Sequence, residues 1–148
     1  MVDRREELTG REAEVWAEFD RLVTSIDRDL RDEPALADGW SVRDLLWHVA
    51  YWWGDLAALL DRIREGTYEE PEWTTDETNA EVLAASRSMT LDEVEEGLAR
   101  ARARMLSAWT ALPQVGDDAA ELFSSETIEH YEEHLAVVRS YAAAGRPS

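Results

Sequence analysis

Two histidines of the chain, His130 and His134, stand four residues apart. On a helix this spacing places both imidazoles on one face, one turn apart, where they can bind the same metal ion. The same spacing is also compatible with a pair of exposed histidines that binds nothing. The pair therefore indicates a metal site only in combination with a further ligand.

The remaining histidine, His48, is the candidate for that ligand. It lies between Leu45 and Trp52 in an apolar stripe, where a histidine can equally be a core residue with a hydrogen-bonded ring. Three imidazoles and no fourth protein ligand would form an open site, which is typical of catalytic ions and not of structural zinc. Imidazole binds several transition metals, so the sequence predicts a divalent ion and leaves zinc, nickel or iron open.

Acidic residues accompany the histidines. Asp44 lies one turn before His48 and Glu126 one turn before His130, so each either orients an imidazole or caps the start of a helix. Three further carboxylates are expected to be solvated helix charges, the alternative being that one of them serves as acid or base. These are Glu129, Glu132 and Glu133.

Tryptophans surround His48. The chain has 7 Trp, and Trp47, Trp52 and Trp53 flank this histidine. Aromatic residues at helical spacing are typical of a hydrophobic core, but the same side chains can form the wall of a ligand pocket. Both interpretations stay open on the sequence alone.

Helices must position these residues, because apolar residues recur at steps of three and four along almost the whole chain and no segment alternates like a strand. The first predicted helix carries an apolar stripe over 15–30, and Thr9 with Glu12 resembles a capping box at its start. The second runs from Ser41 to a stop at Gly66 and carries His48. Its apolar residues cover a broad face, so we expect it to be the central element.

The remaining helices follow a loop with Gly, Pro and Thr. A short helix is predicted over about 76–87, and a third long one from a capping box at Thr90 to Pro113. The last helix carries the histidine pair, begins near Ser124 or Ser125 and ends at Gly145. The pattern predicts an all-α fold, a four-helix bundle with a long crossover and a short extra helix between helices 2 and 3.

Composition restricts the classes of function. A length of 148 residues suits one domain, here 1–148, and a formal charge of -18 argues against nucleic acid or an anionic membrane as partner. Without Cys, the chain has neither a disulfide nor a thiol nucleophile. The charged N-terminus and the lack of an apolar run of about 20 residues predict a cytoplasmic protein without signal peptide or membrane span. We expect a small-molecule substrate, and a homodimer is compatible with the sequence.

A family resemblance rests on several of these segments. The run Gly39–Val49, with His130 and His134 near the start of the last helix, resembles the DinB/YfiT-like superfamily of four-helix-bundle proteins. The stretches Asn79–Val82 and Leu91–Val94 are similar to the branch near the mycothiol-dependent maleylpyruvate isomerases. The resemblance covers nearly the whole chain and implies that His48, His130 and His134 hold a divalent metal.

The resemblance also implies a class of reaction. Characterised relatives use the metal to activate the thiol of mycothiol or bacillithiol for S-transfer or isomerisation, which suits a chain that has no thiol of its own. The isomerase branch has Glu where this chain has His130, and some other branches lack the three ligands. We therefore expect a metal-dependent thiol S-transferase or isomerase, with a non-catalytic module for metabolite binding or self-protection as the alternative.

Overall fold

The computed structural model describes residues 3–144, apart from the side chain of Asp38, and no strand occurs among these residues. The helices are α1 (Arg4–Ser25), α2 (Val42–Glu65), α3 (Thr75–Ser86), α4 (Leu91–Ala111), α5 (Asp117–Ser124) and α6 (His130–Ala144). Short 3-10 turns over Arg28–Asp32 and Ala37–Gly39 lie between α1 and α2. The predicted all-α class, with a short extra helix between the second and third long ones, is confirmed. In the described part of the chain, no helix is long and apolar enough to cross a membrane.

The described residues fall into two compact units. The first contains the chain up to Val42 and from Val115 onward, and the second contains Arg43–Gln114. The expectation that 1–148 forms a single domain stays a prediction.

The first unit packs α1 against α5 and α6. Among its aromatic residues, Trp16 stacks on Phe19 with 5.3 Å between ring centroids and meets Tyr131 at 5.2 Å. At one end, Arg4 forms an ion pair of 2.9 Å with Asp117. These contacts join helices that lie more than 100 residues apart in the chain.

The predicted start and end of the first helix are wrong. The helix begins at Arg4, with Asp3 as N-cap, and the Thr9 hydroxyl donates to the carbonyl of Arg5 within the helix. Glu12, predicted to belong to a capping box, is buried inside the unit. The helix ends at Ser25, so Leu30 lies in a 3-10 turn, where its carbonyl accepts a hydrogen bond from Tyr141.

The last helix begins earlier than predicted and contains an irregular turn. It starts with α5 at Asp117, not near Ser124 or Ser125, and passes through a π-helical turn over Ser125–Glu129 before α6. Within that turn the hydroxyl of Thr127 donates to the carbonyl of Phe123 at 2.6 Å, a bond back along the helix that is typical of bent helices. Gly145, predicted as the end of this helix, lies outside the described residues.

The second unit contains α3, α4 and nearly all of α2, and its predicted helix limits are largely confirmed. α2 ends at Glu65 before Gly66, whose φ of 78° is a left-handed conformation that favours glycine. The capping box at Thr90 is present, because its hydroxyl accepts from the Glu93 amide while its own amide donates to the Glu93 carboxylate. Local signals were sufficient for these ends.

α2 and α4 approach closely where α4 carries Gly97. A Cβ atom at this position would lie 2.7 Å from Cζ3 of Trp47, which is closer than packed atoms allow. At Gly54 of α2, a Cβ atom would meet nothing within 4 Å. Of these two helical glycines, one is therefore required by packing and the other is not.

The two glycines predict opposite changes in stability. Gly54→Ala should raise the free energy of unfolding by about 0.5–1 kcal/mol, since alanine favours the helix. Gly97→Ala gains the same helix propensity but forces the Trp47 ring to move. Its free energy of unfolding should therefore be about 1–3 kcal/mol lower than that of Gly54→Ala. Urea unfolding of both variants measures the difference, and equal stabilities would contradict the close packing of Trp47 on Gly97.

Candidate metal centre

The histidine pair begins α6, directly after the π-helical turn. His130 is the first residue of this helix, and His134 follows one turn later. Their ring centroids are 4.8 Å apart with the ring planes at 66°, and both side chains are half-buried. The pair shares one side of α6, as the spacing predicted.

The protonation state of His134 favours a ligand role. Burial lowers the pKa of this imidazole, and the neighbouring carboxylate of Glu133 offsets part of that effect. A lowered pKa keeps the ring neutral, and only a neutral imidazole has a lone pair for a metal ion. Glu133 itself is exposed, as are Glu129 and Glu132, in agreement with the expectation of solvated charges.

A buried hydrogen bond fixes the residue between the two histidines. The hydroxyl of Tyr131 donates to Oε1 of Glu12 at 3.0 Å, and neither side chain is more than 1% exposed. The sequence pattern placed Glu12 in a capping box and did not predict this contact. A signal was present, since Glu12 precedes the buried residues Phe19 and Val23 by seven and eleven positions and so shares their face of α1.

The third candidate ligand, His48, is a buried residue of α2 in the second unit, with 5% of its surface exposed. Trp52 lies one turn further and meets the imidazole edge-on, with 6.5 Å between ring centroids. The indole of Trp52 is itself held by a hydrogen bond of 2.9 Å to Asn79 of α3. The ring that His48 contacts is therefore itself held by a residue of α3.

Asp44, one turn before His48, is also buried and accepts a hydrogen bond of 2.7 Å from the hydroxyl of Ser86. Of the three tryptophans that flank His48, Trp53 is fully buried in the core and Trp52 nearly so. Trp47 is half-buried against Gly97. The sequence left open whether these tryptophans belong to the core or to a pocket. In the structure Trp52 and Trp53 are core residues, whereas Trp47 is half-buried.

Comparison with known proteins identifies the family. Residues 13–126 match the family described as the mycothiol maleylpyruvate isomerase N-terminal domain. The chain belongs to this family. The resemblance to the DinB-like branch that the sequence indicated is confirmed.

Solved structures agree with this assignment at the level of fold. The chain is similar to the crystal structure of the mycothiol-dependent maleylpyruvate isomerase, with a TM-score of 0.75 and 19% identity over 93% of this chain and 63% of that one. A variant of that isomerase with one histidine replaced by alanine gives a TM-score of 0.74, with the same identity and coverage. The chain thus spans less than two thirds of the length of these structures. No curated protein matches the sequence.

The Glu12 contact yields a prediction about stability. Tyr131→Phe removes the hydroxyl that donates to a buried carboxylate, which should lower the free energy of unfolding by about 1–3 kcal/mol. Tyr141→Phe is the matched control, because its hydroxyl donates to the carbonyl of Leu30 at a half-buried site and should cost less. Thermal or urea unfolding measures both. A Tyr131→Phe variant as stable as the natural chain would contradict the role given to this hydrogen bond.

Proposed function

We propose that this member of the isomerase N-terminal domain family binds one divalent transition-metal ion through His48, His130 and His134. We further propose that it is an S-transferase or isomerase that depends on a low-molecular-weight thiol of the mycothiol or bacillithiol type and acts on a small molecule. The observation that carries the proposal is the half-buried pair of His130 and His134, adjacent on one side of α6.

The donor chemistry fits such an ion. The two imidazoles lie one helical turn apart, and the lowered pKa of His134 keeps one of them in the form that binds metal. His48 is the chain's remaining imidazole. Three protein nitrogens leave a coordination position for an exogenous group, while zinc, nickel and iron remain equally acceptable.

The ion would supply one kind of chemistry, since a cation lowers the pKa of a nearby thiol and stabilises the thiolate. The chain itself contributes no thiol, because it has no Cys. Its own residues bind and orient: Trp52 packs edge-on against His48, and the bond from Tyr131 to Glu12 holds the start of α6. His48 is only 5% exposed, so the side chains around it limit the access of water.

The other features of the proposal follow from charge and family. A formal charge of -18 supports a small-molecule substrate over nucleic acid or an anionic membrane. We also propose that the protein is cytoplasmic. The description of the family supports mycothiol as the thiol. A single domain over 1–148 is also part of the proposal, and a homodimer is compatible with it.

Metal binding can be measured at each histidine separately by NMR. The chain contains only three, so protein labelled with 15N-histidine gives three imidazole spin systems. Zinc added to chelator-treated protein should shift all three and reach saturation at about one ion per chain. If only the signals of His130 and His134 shift, His48 is not a ligand. If none shifts, the metal proposal fails and the non-catalytic binding module becomes the better hypothesis.

Variants extend this prediction to stability. His48→Leu should lower the melting temperature with metal present, because bound metal stabilises the native state by about 2.7 kcal/mol at a hundredfold excess over Kd. In chelator the same change should be neutral or stabilising, since leucine suits a buried position. Glu129→Gln, an exposed neighbour of His130, is the control and should leave the metal-dependent shift unchanged. Equal effects of His48→Leu in metal and in chelator would exclude His48 from the site.

Thiol binding is tested with the cobalt-substituted protein. Mycothiol should produce a thiolate-to-cobalt charge-transfer band, because the open position accepts a soft sulfur ligand. S-methyl mycothiol is the matched control, since it has the same sugar groups but no ionisable thiol and should produce no such band. The absence of any spectral change at millimolar mycothiol would contradict the thiol proposal and leave the metal proposal intact.

A further inference from the structure

The second unit contains a groove between α2 and α4 that the metal proposal does not use. Its cavity has a volume of about 280 Å³. Small and aromatic side chains form most of its wall, and Asp55 is the one carboxylate among its lining residues. The full lining is Trp47, Ala50, Tyr51, Gly54, Asp55, Gly97 and Ala101. Since Asp55 follows His48 by seven residues, it lies about 10 Å further along α2.

Two glycines create the space. The contact of Gly97 with the Trp47 ring brings α4 close to α2 on one side of the groove. Gly54 keeps the neighbouring part open, because a Cβ atom there would meet nothing within 4 Å. The volume is near the lower end of the range for ligand pockets, which is about 300–1,000 Å³, so an occupant would be small.

Asp55 has a carboxylate that the protein satisfies only in part. Its Oδ2 atom is buried and accepts no hydrogen bond from any group in residues 3–144. Burial raises the pKa of Asp55, and the guanidinium of Arg62 offsets only part of that shift. A buried acceptor without a donor is costly, so a ligand that supplies positive charge and N–H donors would relieve this cost.

The aromatic residues of the groove favour the same kind of ligand. Trp47 and Tyr51 are the two aromatic residues that line the groove, and Tyr51 is 40% exposed. Burial raises the pKa of the Tyr51 phenol, and the nearby carboxylates of Asp55 and Glu81 raise it further, so negative charge lies close to this ring. Aromatic faces beside a carboxylate are a typical environment for organic ammonium groups.

We propose that the groove between α2 and α4 binds a small organic cation, with its ammonium group near Asp55 and its apolar body against Trp47 and Tyr51. Charge complementarity identifies the occupant, because an apolar ligand would leave the buried Oδ2 atom unsatisfied and an anion would be repelled by it. This site is separate from the proposed metal centre and does not depend on it.

The experiment uses 2-phenylethylammonium as the probe and 2-phenylethanol as its uncharged counterpart, with the full chain in chelator. Isothermal titration calorimetry should show that the amine binds about tenfold or more tightly than the alcohol. Asp55→Asn should remove this preference. Asp61→Asn, which removes the same charge from α2 outside the groove, is the control and should retain it.

A second variant fills the groove. Gly54→Leu adds a side chain where the backbone leaves open space, so it should abolish binding of the amine while the melting temperature shows that the protein still folds. Should this variant fail to fold, Gly54→Ala serves in its place and should weaken binding. Equal affinities for amine and alcohol, or full binding by a folded Gly54→Leu protein, would overturn the proposal.

Discussion

The direction of the histidine pair depends on one buried hydrogen bond, from Tyr131 to Glu12. A carboxylate buried among aromatic rings needs donors, and Tyr131 can donate only when α6 turns this side chain toward α1. Because His130 is the adjacent residue, the same rotation of α6 sets the direction of His130 and, one turn later, of His134. The π-helical turn immediately before α6 adds a residue to the helical repeat and so offsets the faces of α6 from those of α5.

Local sequence signals were enough for the ends of α2 and α4 and for the placement of the pair on one helix. The capping box at Thr90 and the glycine after α2 act within a few residues, and the structure contains both. The starts of α1 and α5 are joined by an exposed ion pair between Arg4 and Asp117, which lie 113 positions apart, so no local signal predicts this contact. The π-helical turn could not be predicted either, because the apolar spacing on both sides of it also fits one regular helix.

In the candidate site, too, some features follow from the local sequence and others depend on contacts between residues far apart in the chain. His48, His130 and His134 could be selected as candidates from residue type and spacing, whereas the contacts around them involve residues far away in the chain. Glu12 was interpreted as a capping residue because it follows Thr9 by three positions, and its partner Tyr131 lies 119 positions away. Similarly, one run of tryptophans on α2 contains a core residue, a hydrogen-bonded residue and a groove residue, which are Trp53, Trp52 and Trp47.

Burial shifts the pKa of one group in each candidate site, and the two shifts have opposite directions. Removing water disfavours charge, so it lowers the pKa of His134 and raises that of Asp55. The histidine is thereby kept neutral, whereas the carboxylate keeps a negative charge only at a cost. In the two proposals a cation would stabilise each group, a metal ion for the imidazole and an organic ammonium for the carboxylate. A chain with a formal charge of -18 attracts both kinds of ligand at long range. The two proposals then rest on different donors, a neutral nitrogen for the metal ion and a carboxylate oxygen for the ammonium, and this donor chemistry would determine which cation each site selects.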